Sequence, residues 1–222
     1  MRFLANFIVT ICLVLLAIML YNARDSFSPL PAGQMIWEKP TTAKEIYLTI
    51  DDTPSRESLP LILSTLKKHS ATAVFFVIGK FGQEYPEGLK AIAQGGYRFG
   101  NHTFNHVNGL QVNKAEIKNE LELTDKTIFE NTGKHAQYFR PPFGFFNYRY
   151  FQAAKSMNYP IVFWTGDAGD WNQMSAPELL ERMMASTAPG AILLLHDLPM
   201  TAQVLDAYLT SIEALGYRTG TL

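Results

Sequence analysis

Two adjacent carboxylates, Asp51-Asp52, follow directly on the apolar run Ile46–Ile50, and the pair His102-x-x-x-His106 follows a second run, Tyr97–Gly100. Histidines spaced i, i+4 lie on one face of a helical turn, where both imidazoles can share an ion. With Asp52 they make a set of two His and one carboxylate, which leaves a position open for water and so belongs to a catalytic, hydrolytic metal site. Asp51, beside the ligand, is then available as a base. The plainer alternative reads Asp51-Asp52-Thr53-Pro54-Ser55 as a turn capping the next helix, with one His capping and the other exposed.

Three more polar clusters interrupt apolar runs. Tyr138–Arg140 leads into Pro141-Pro142-Phe143-Gly144, Ile161–Thr165 leads through Gly166 to Asp167-Ala168-Gly169-Asp170-Trp171, and Ala191–Leu195 stops abruptly at His196-Asp197. A buried apolar strand ending in an ionisable pair is a functional signal. Taken singly, the other two also read as a stiff proline loop with a surface Arg and as a polar turn with a half-buried Trp. His69 and His135 lie near helix ends and read as structural.

These clusters need a frame that presents them together. Short β-branched or aromatic runs at Ile46–Ile50, Ala73–Ile78, Tyr97–Gly100, Tyr138–Arg140, Ile161–Thr165, Ala191–Leu195 and Tyr217–Thr219 predict strands. Between them, apolar residues at helical spacing (Leu59, Ile62, Leu63, Leu66; Leu89, Ile92, Ala93; Ile117, Leu121, Ile128) predict helices, with more over Tyr148–Met157, Ala176–Thr187 and Ala202–Leu215. Regular alternation implies parallel pairing with right-handed crossovers. About seven units predict an α/β barrel, whose chemistry sits at the C-terminal ends of its strands, where the polar clusters fall.

With 222 residues, 47% hydrophobic and 18% charged, the chain is long enough for one packed domain and a small appendage. A net charge of -1 gives no footing for a polyanion, so nucleic acid is disfavoured and no nucleic-acid partner is expected. The single cysteine, Cys12, has no disulfide partner in the chain. It lies within an uncharged 19-residue run from Phe3 to Tyr21. As a helix that run is roughly 28 Å long, against a hydrocarbon core of roughly 30 Å. Residues 1–22 are therefore expected to be a membrane anchor or, if cleaved, a signal segment, and residues 23–43 a linker and lead-in. Residues 44–222 form the domain, on the outer side of the membrane, or secreted or periplasmic after cleavage.

Taken in order, Asp51-Asp52, His102-x-x-x-His106, Arg140-Pro-Pro-Phe-Gly144, Asp167-x-x-Asp170-Trp171 and Leu194-x-His196-Asp197 resemble the motifs of the polysaccharide deacetylase family, also called the NodB-homology or carbohydrate esterase family 4 domain. The resemblance covers about residues 44–222. It implies a distorted (β/α)7 barrel and metal-dependent removal of N-acetyl groups from amino sugars of a chitin-like or peptidoglycan-like glycan. By the same resemblance Asp52, His102 and His106 hold one divalent ion, Zn²⁺ foremost with Co²⁺ or Ni²⁺ as alternatives. Asp51 is the base, paired with Arg140; His196 is the acid, oriented by Asp170. The Phe143 N–H stabilises the oxyanion, and Trp171 and Leu194 wall the acetyl pocket. Other readings of the same set are an O-acetyl esterase, a deacylase of a lipid-linked sugar, and a carbohydrate-binding homologue without catalysis. The family usually has Gly after the Asp pair; Thr53 stands there, so the turn is expected to differ or the loop to shift. The sequence leaves the oligomeric state open.

Overall fold

The computed structural model describes residues 35–222. The run at residues 3–21, Cys12 and the anchor-or-signal reading of residues 1–22 lie outside them. Among the described residues no helix is long and apolar enough to cross a membrane.

Strands and helices alternate along the chain: β1 (Met35–Ile36), β2 (Glu45–Thr53), α1 (Leu59–Lys68), β3 (Ala73–Val77), α2 (Gly79–Glu84), α3 (Pro86–Gln94), β4 (Arg98–Asn101) and α4 (Lys114–Thr132). Then come β5 (Tyr138–Phe139), a 3₁₀ turn (Pro142–Gly144), α5 (Tyr148–Ser156), β6 (Ile161–Val162), β7 (Gly166–Asp167), α6 (Ala176–Ala185), β8 (Ile192–His196), α7 (Pro199–Ala214) and β9 (Arg218–Thr219). Local sequence accounts for the helices. Leu59, Ile62 and Leu66 bury one stripe of α1, while α4 opens on an Asn113–Glu116 capping box and closes at Gly133 with φ 69°.

The strand ladders are parallel, in the order β1-β6-β5-β4-β3-β2-β8-β7, with β9 beside the start of β2. Helices cover the outer face, so β2, β3 and β8 are buried on both sides and read as nearly continuous apolar runs. Along β2 the alternate residues Tyr47, Thr49 and Asp51 turn inward. Tyr47 joins Val74, Phe76, Tyr138, Val162, Ile192 and Leu222 in an interior cluster.

The expected distorted (β/α)7 barrel is a curled parallel half-barrel, not an even ring of seven units. The predicted strand Ile161–Thr165 is where the regularity breaks. Phe163 N donates to Ile36 O (2.8 Å) and Thr165 N to Ile192 O (3.1 Å), so the backbone changes partners within three residues. The same stretch of chain thus lies between β1 and β5 near one end of the sheet and pairs with β8 at the other. Residues 35–43, read from sequence as part of a linker, contribute to the fold. β1 pairs with β6, Trp37 stacks on Phe163 at 4.0 Å, and Lys39 N donates to Gly190 O.

Candidate metal centre and acid–base site

In a regular strand Asp51 and Asp52 would face opposite sides of the sheet. The β2–β3 register shifts between Ile50 and Thr53, and Asp52 takes φ 58°, so both carboxylates turn to the same side. They converge on His102 Nε2, which is 3.6 Å from Asp51 Oδ2 and 3.6 Å from Asp52 Oδ1. The sequence suggested that a Gly-to-Thr exchange at position 53 would disturb this turn. The left-handed residue is Asp52, however, and Thr53 is accommodated as a buried strand residue paired with Val77.

His102 and His106 come together, but not on a helical turn. Residues 102–106 form a loop in which Thr103 (φ 65°) and His106 (φ 54°) are left-handed, bringing the rings to 4.9 Å. The loop is held from behind. Glu120 accepts from Asn105 N (2.7 Å) and Asn105 Nδ2 (2.8 Å), and Asn101 Oδ1 accepts from Thr103 N (3.0 Å). His102 Nδ1 donates to the Arg140 carbonyl (2.8 Å), which leaves its Nε2 as a lone pair facing the carboxylates. Burial, then the neighbouring His102, pushes the His106 pKa down to about 4, so its ring is neutral at pH 7.

This trio suits a metal ion. The ligand atoms of Asp52, His102 and His106 lie within 4.8 Å of one another, and His106 Nε2 is 3.6 Å from Asp52 Oδ1. Two donors ~2.0–2.1 Å from one tetrahedral ion stand ~3.4 Å apart, so 3.6 Å is too long for a good hydrogen bond but close to a shared ligand sphere. Asp52 Oδ1 is also buried with no hydrogen-bond partner, a costly arrangement for a carboxylate unless a cation faces it.

Arg140 is fully buried between the rings of Phe76 (4.3 Å) and Trp164 (5.4 Å). Its Nη1 donates to Asp51 Oδ1 (2.7 Å) and Thr49 Oγ1 (2.9 Å), its Nε to Val162 O (3.1 Å) and its Nη2 to Phe163 O (3.0 Å). Burial pulls its pKa below the ordinary value, opposed by the Asp51 charge. One residue thus orients two neighbours: its side chain fixes Asp51 and its carbonyl fixes His102.

Asp51 is register-paired with His196 across β2 and β8. His196 Nδ1 donates to Asp170 Oδ1 (2.7 Å), while Asp170 Oδ2 accepts from His196 N (2.7 Å) and Thr201 Oγ1 (2.6 Å). Burial alone would lower the His196 pKa; the Asp170 hydrogen bond and charge, with Asp51 and Asp52 further off, push it up to about 9. The neighbouring Asp197 has a different task. It accepts from Ser58 Oγ (2.7 Å) and Ser55 N (2.8 Å), clasping the loop after β2, and burial raises its pKa to about 6.

A cavity of about 630 Å³ opens at this end of the sheet, lined by the metal trio, Asp51, His196, Phe143, Trp171 and Leu194. All ten residues singled out in the sequence therefore meet at one site: eight line the cavity, and Arg140 and Asp170 stand directly behind. Phe143 is left-handed (φ 60°), and a Cβ on the following Gly144 would stand 2.6 Å from the Trp164 ring, so the loop packs closely on that wall. Trp171 meets His196 edge-on at 5.2 Å. Sequence reasoning missed Thr49, Asn101, Glu120 and Thr201; the bonds of Thr49, Glu120 and Thr201 depend on tertiary contact, while Asn101 braces its own loop two residues on. His69 and His135 are, as read, structural, bonded to Asp206 and Glu213 and to Asp125.

The polysaccharide deacetylase family model matches residues 38–162. The chain belongs to the polysaccharide deacetylase family. Among relatives of this family, the peptidoglycan-N-acetylglucosamine deacetylase PgdA of Listeria monocytogenes is 34% identical over 196 residues, covering 87% of this chain. The chain spans only 41% of that relative's length. Two solved structures superpose well. Bacillus subtilis PdaA, a family 4 carbohydrate esterase, gives a TM-score of 0.78 at 32% identity, covering 84% of this chain and 82% of that one. A CE4 family pseudoenzyme from Bacillus anthracis gives 0.80 at 32% identity, covering 88% of this chain and 68% of that one.

Proposed function

We propose that this polysaccharide deacetylase removes N-acetyl groups from amino sugars of a peptidoglycan-like or chitin-like glycan, with one divalent ion, Zn²⁺ foremost and Co²⁺ or Ni²⁺ as substitutes, held by Asp52, His102 and His106. The observation that carries the reading is the pairing of Asp51 with His196 across adjacent strands. Each is oriented from behind, by Arg140 and by Asp170, and both border the metal trio. Binding alone needs neither an oriented base nor an oriented acid.

When bound, the ion supplies Lewis-acid polarisation of the acetyl carbonyl and of the attacking water. Arg140 occupies Asp51 Oδ1, so Oδ2, on the side of the trio, is the oxygen that takes the proton of that water. The Phe143 N–H donates to the developing oxyanion. His196, tied through Nδ1 to Asp170, gives its Nε2 proton to the leaving amine. Trp171 and Leu194 enclose the acetyl methyl.

Acetate release from acetylated chitin oligomers, peptidoglycan fragments and acetyl-xylan, with and without chelator, tests the reading and separates amide from ester substrates. Glycan binding with no acetate released from any of them would favour the non-catalytic alternative, which the likeness to a pseudoenzyme makes concrete.

The acid assignment also predicts a pH effect. His196 must hold its proton to donate it, so activity falls as pH rises through its pKa. Asp170→Asn removes the charge that raises this pKa and lets burial dominate. The alkaline limb of the pH–rate profile is then expected to move down, toward or below the ordinary value near 6.5, from about 9 in the parent chain. The sign is the same for stability: the His196–Asp170 contribution is complete below about 6.5 and disappears as pH rises through about 9. An unmoved limb would assign the acid elsewhere.

We also place residues 1–22 as the anchor that holds the domain outside the cytoplasm. Deletion through Arg24 is expected to leave acetate release from a small soluble substrate unchanged, because each proposed site residue lies at or beyond Asp51, while activity on cell-surface polymer falls with the lost local concentration. A mature N-terminus near Arg24 or Pro29 would replace the anchor by a cleaved signal.

A further inference from the structure

Residues 35–39 form a strap that reaches from β6 to the start of β8. After β1, which pairs with β6, Glu38 makes an antiparallel bridge to Ala191 and Lys39 N donates to Gly190 O (2.9 Å). A Cβ on Gly190 would run into the Lys39 carbonyl, so the strap lies hard against the turn before β8. Lys39 Nζ, 5.6 Å from the centre of the Tyr47 ring, adds a third hold.

What the strap covers is the seat of Arg140. β5 pairs with β6 at Ile161, and the next two residues rest on the strap: Ile36 pairs with Val162, and its carbonyl accepts from Phe163 N (2.8 Å). The carbonyls of those same two residues accept from Arg140 Nε (3.1 Å) and Nη2 (3.0 Å). A guanidinium is a rigid planar fork, so these two oxygens set the direction of Nη1, which holds Asp51 Oδ1 at 2.7 Å. Trp37 clamps the seat from outside. Its ring lies 4.0 Å from that of Phe163 and 11° from parallel; Trp37 is 49% exposed and Phe163 only 2%. A tryptophan left half in water adds little as core filling, yet its stacked face meets the residue whose carbonyl seats the arginine. The following residue, Trp164, carries the seat into the cavity wall, with its ring 5.4 Å from the guanidinium and against Gly144.

We propose that Trp37 is a positioning residue for the deacetylation: by holding Phe163 against the strap it fixes the carbonyls that aim Arg140, and through Arg140 it fixes Asp51. Trp37 itself lies outside the cavity lining. The proposal rests on the assignment of Asp51 as the base in the reading above.

The test combines kinetics with a signal from Arg140 itself, both in the full-length protein. Trp37→Ala is expected to lower kcat on an acetylated chitin oligomer by about tenfold with KM and metal content unchanged, while Trp37→Phe, which keeps the stack, retains the parent rate. Trp37→Leu, which keeps apolar bulk but no ring, should give a smaller loss in the same direction. In an Asp51→Asn background no base is left to aim, so Trp37→Ala should cost less than about twofold more, whereas a merely structural loss would repeat the full fall there. By NMR, the Arg140 Nε–H, assigned through its side-chain carbons, should exchange with solvent about tenfold faster in Trp37→Ala than in the parent or Trp37→Phe. Additive kinetic losses, an unchanged kcat, or an Arg140 signal indifferent to Trp37 would each overturn the proposal. A parent protein that releases no acetate, with the Arg140 signal still dependent on Trp37, would count against the deacetylase reading while upholding the clamp.

Discussion

Asp51→Asn is expected to lower turnover by about 10²–10⁴-fold while the protein still holds its divalent ion. The substitution keeps the shape of the side chain and an oxygen for Arg140, but an amide cannot take the proton of the attacking water. Asp52→Asn separates the two adjacent carboxylates. It removes the charge of the one whose buried oxygen has no other partner, so metal content itself should fall. Metal analysis of both variants beside their acetate-release rates checks the assignment. Equal loss of metal from both would show that the base and the ligand have been confused.

Loss of a histidine ligand should be larger and should register in stability as well. His102→Ala is expected to abolish turnover and to lower metal affinity by more than the ~10–100-fold that loss of an outer partner costs. At a thousandfold excess over Kd, an ion that binds only the folded chain contributes about 4 kcal/mol, a Tm rise of about 10 °C for a domain of this size. Calorimetric scans with and without chelator should show that rise in the parent chain and not in His102→Ala. Full activity in a thoroughly metal-free preparation would refute the mechanism proposed for this site.

Much of this site was legible in the sequence because each chemical cluster sits at the end of an apolar run, and strand ends are where a parallel α/β sheet gathers its loops. Asp51, His102 and His196 stood out in that way, whereas Arg140 and Asp170, which also read as a surface charge and part of a polar turn, took their roles only from the family resemblance. The geometry that joins them was not. The i, i+4 spacing of His102 and His106 suggested a helical turn, whereas two left-handed residues bring the rings together in a loop. The β2 pattern gave no sign that alternation fails at Asp52, because a register shift depends on the facing strand. The break between β6 and β7 was hidden for a similar reason, since Phe163 and Thr165 have good strand propensity and only their partners differ.

Four residues around the site, Asp52, Thr103, His106 and Phe143, hold left-handed backbones without being glycine. At about 1–2 kcal/mol each, their combined strain of about 4–8 kcal/mol is comparable to the whole net stability of an ordinary domain, about 5–15 kcal/mol. The surrounding sheet must therefore sustain a standing load at its open end. A breeding programme that rewarded heat resistance alone would find glycine attractive at these positions, erasing ligand and loop while the core stayed intact. In this fold the ability to do chemistry would be lost well before the ability to fold.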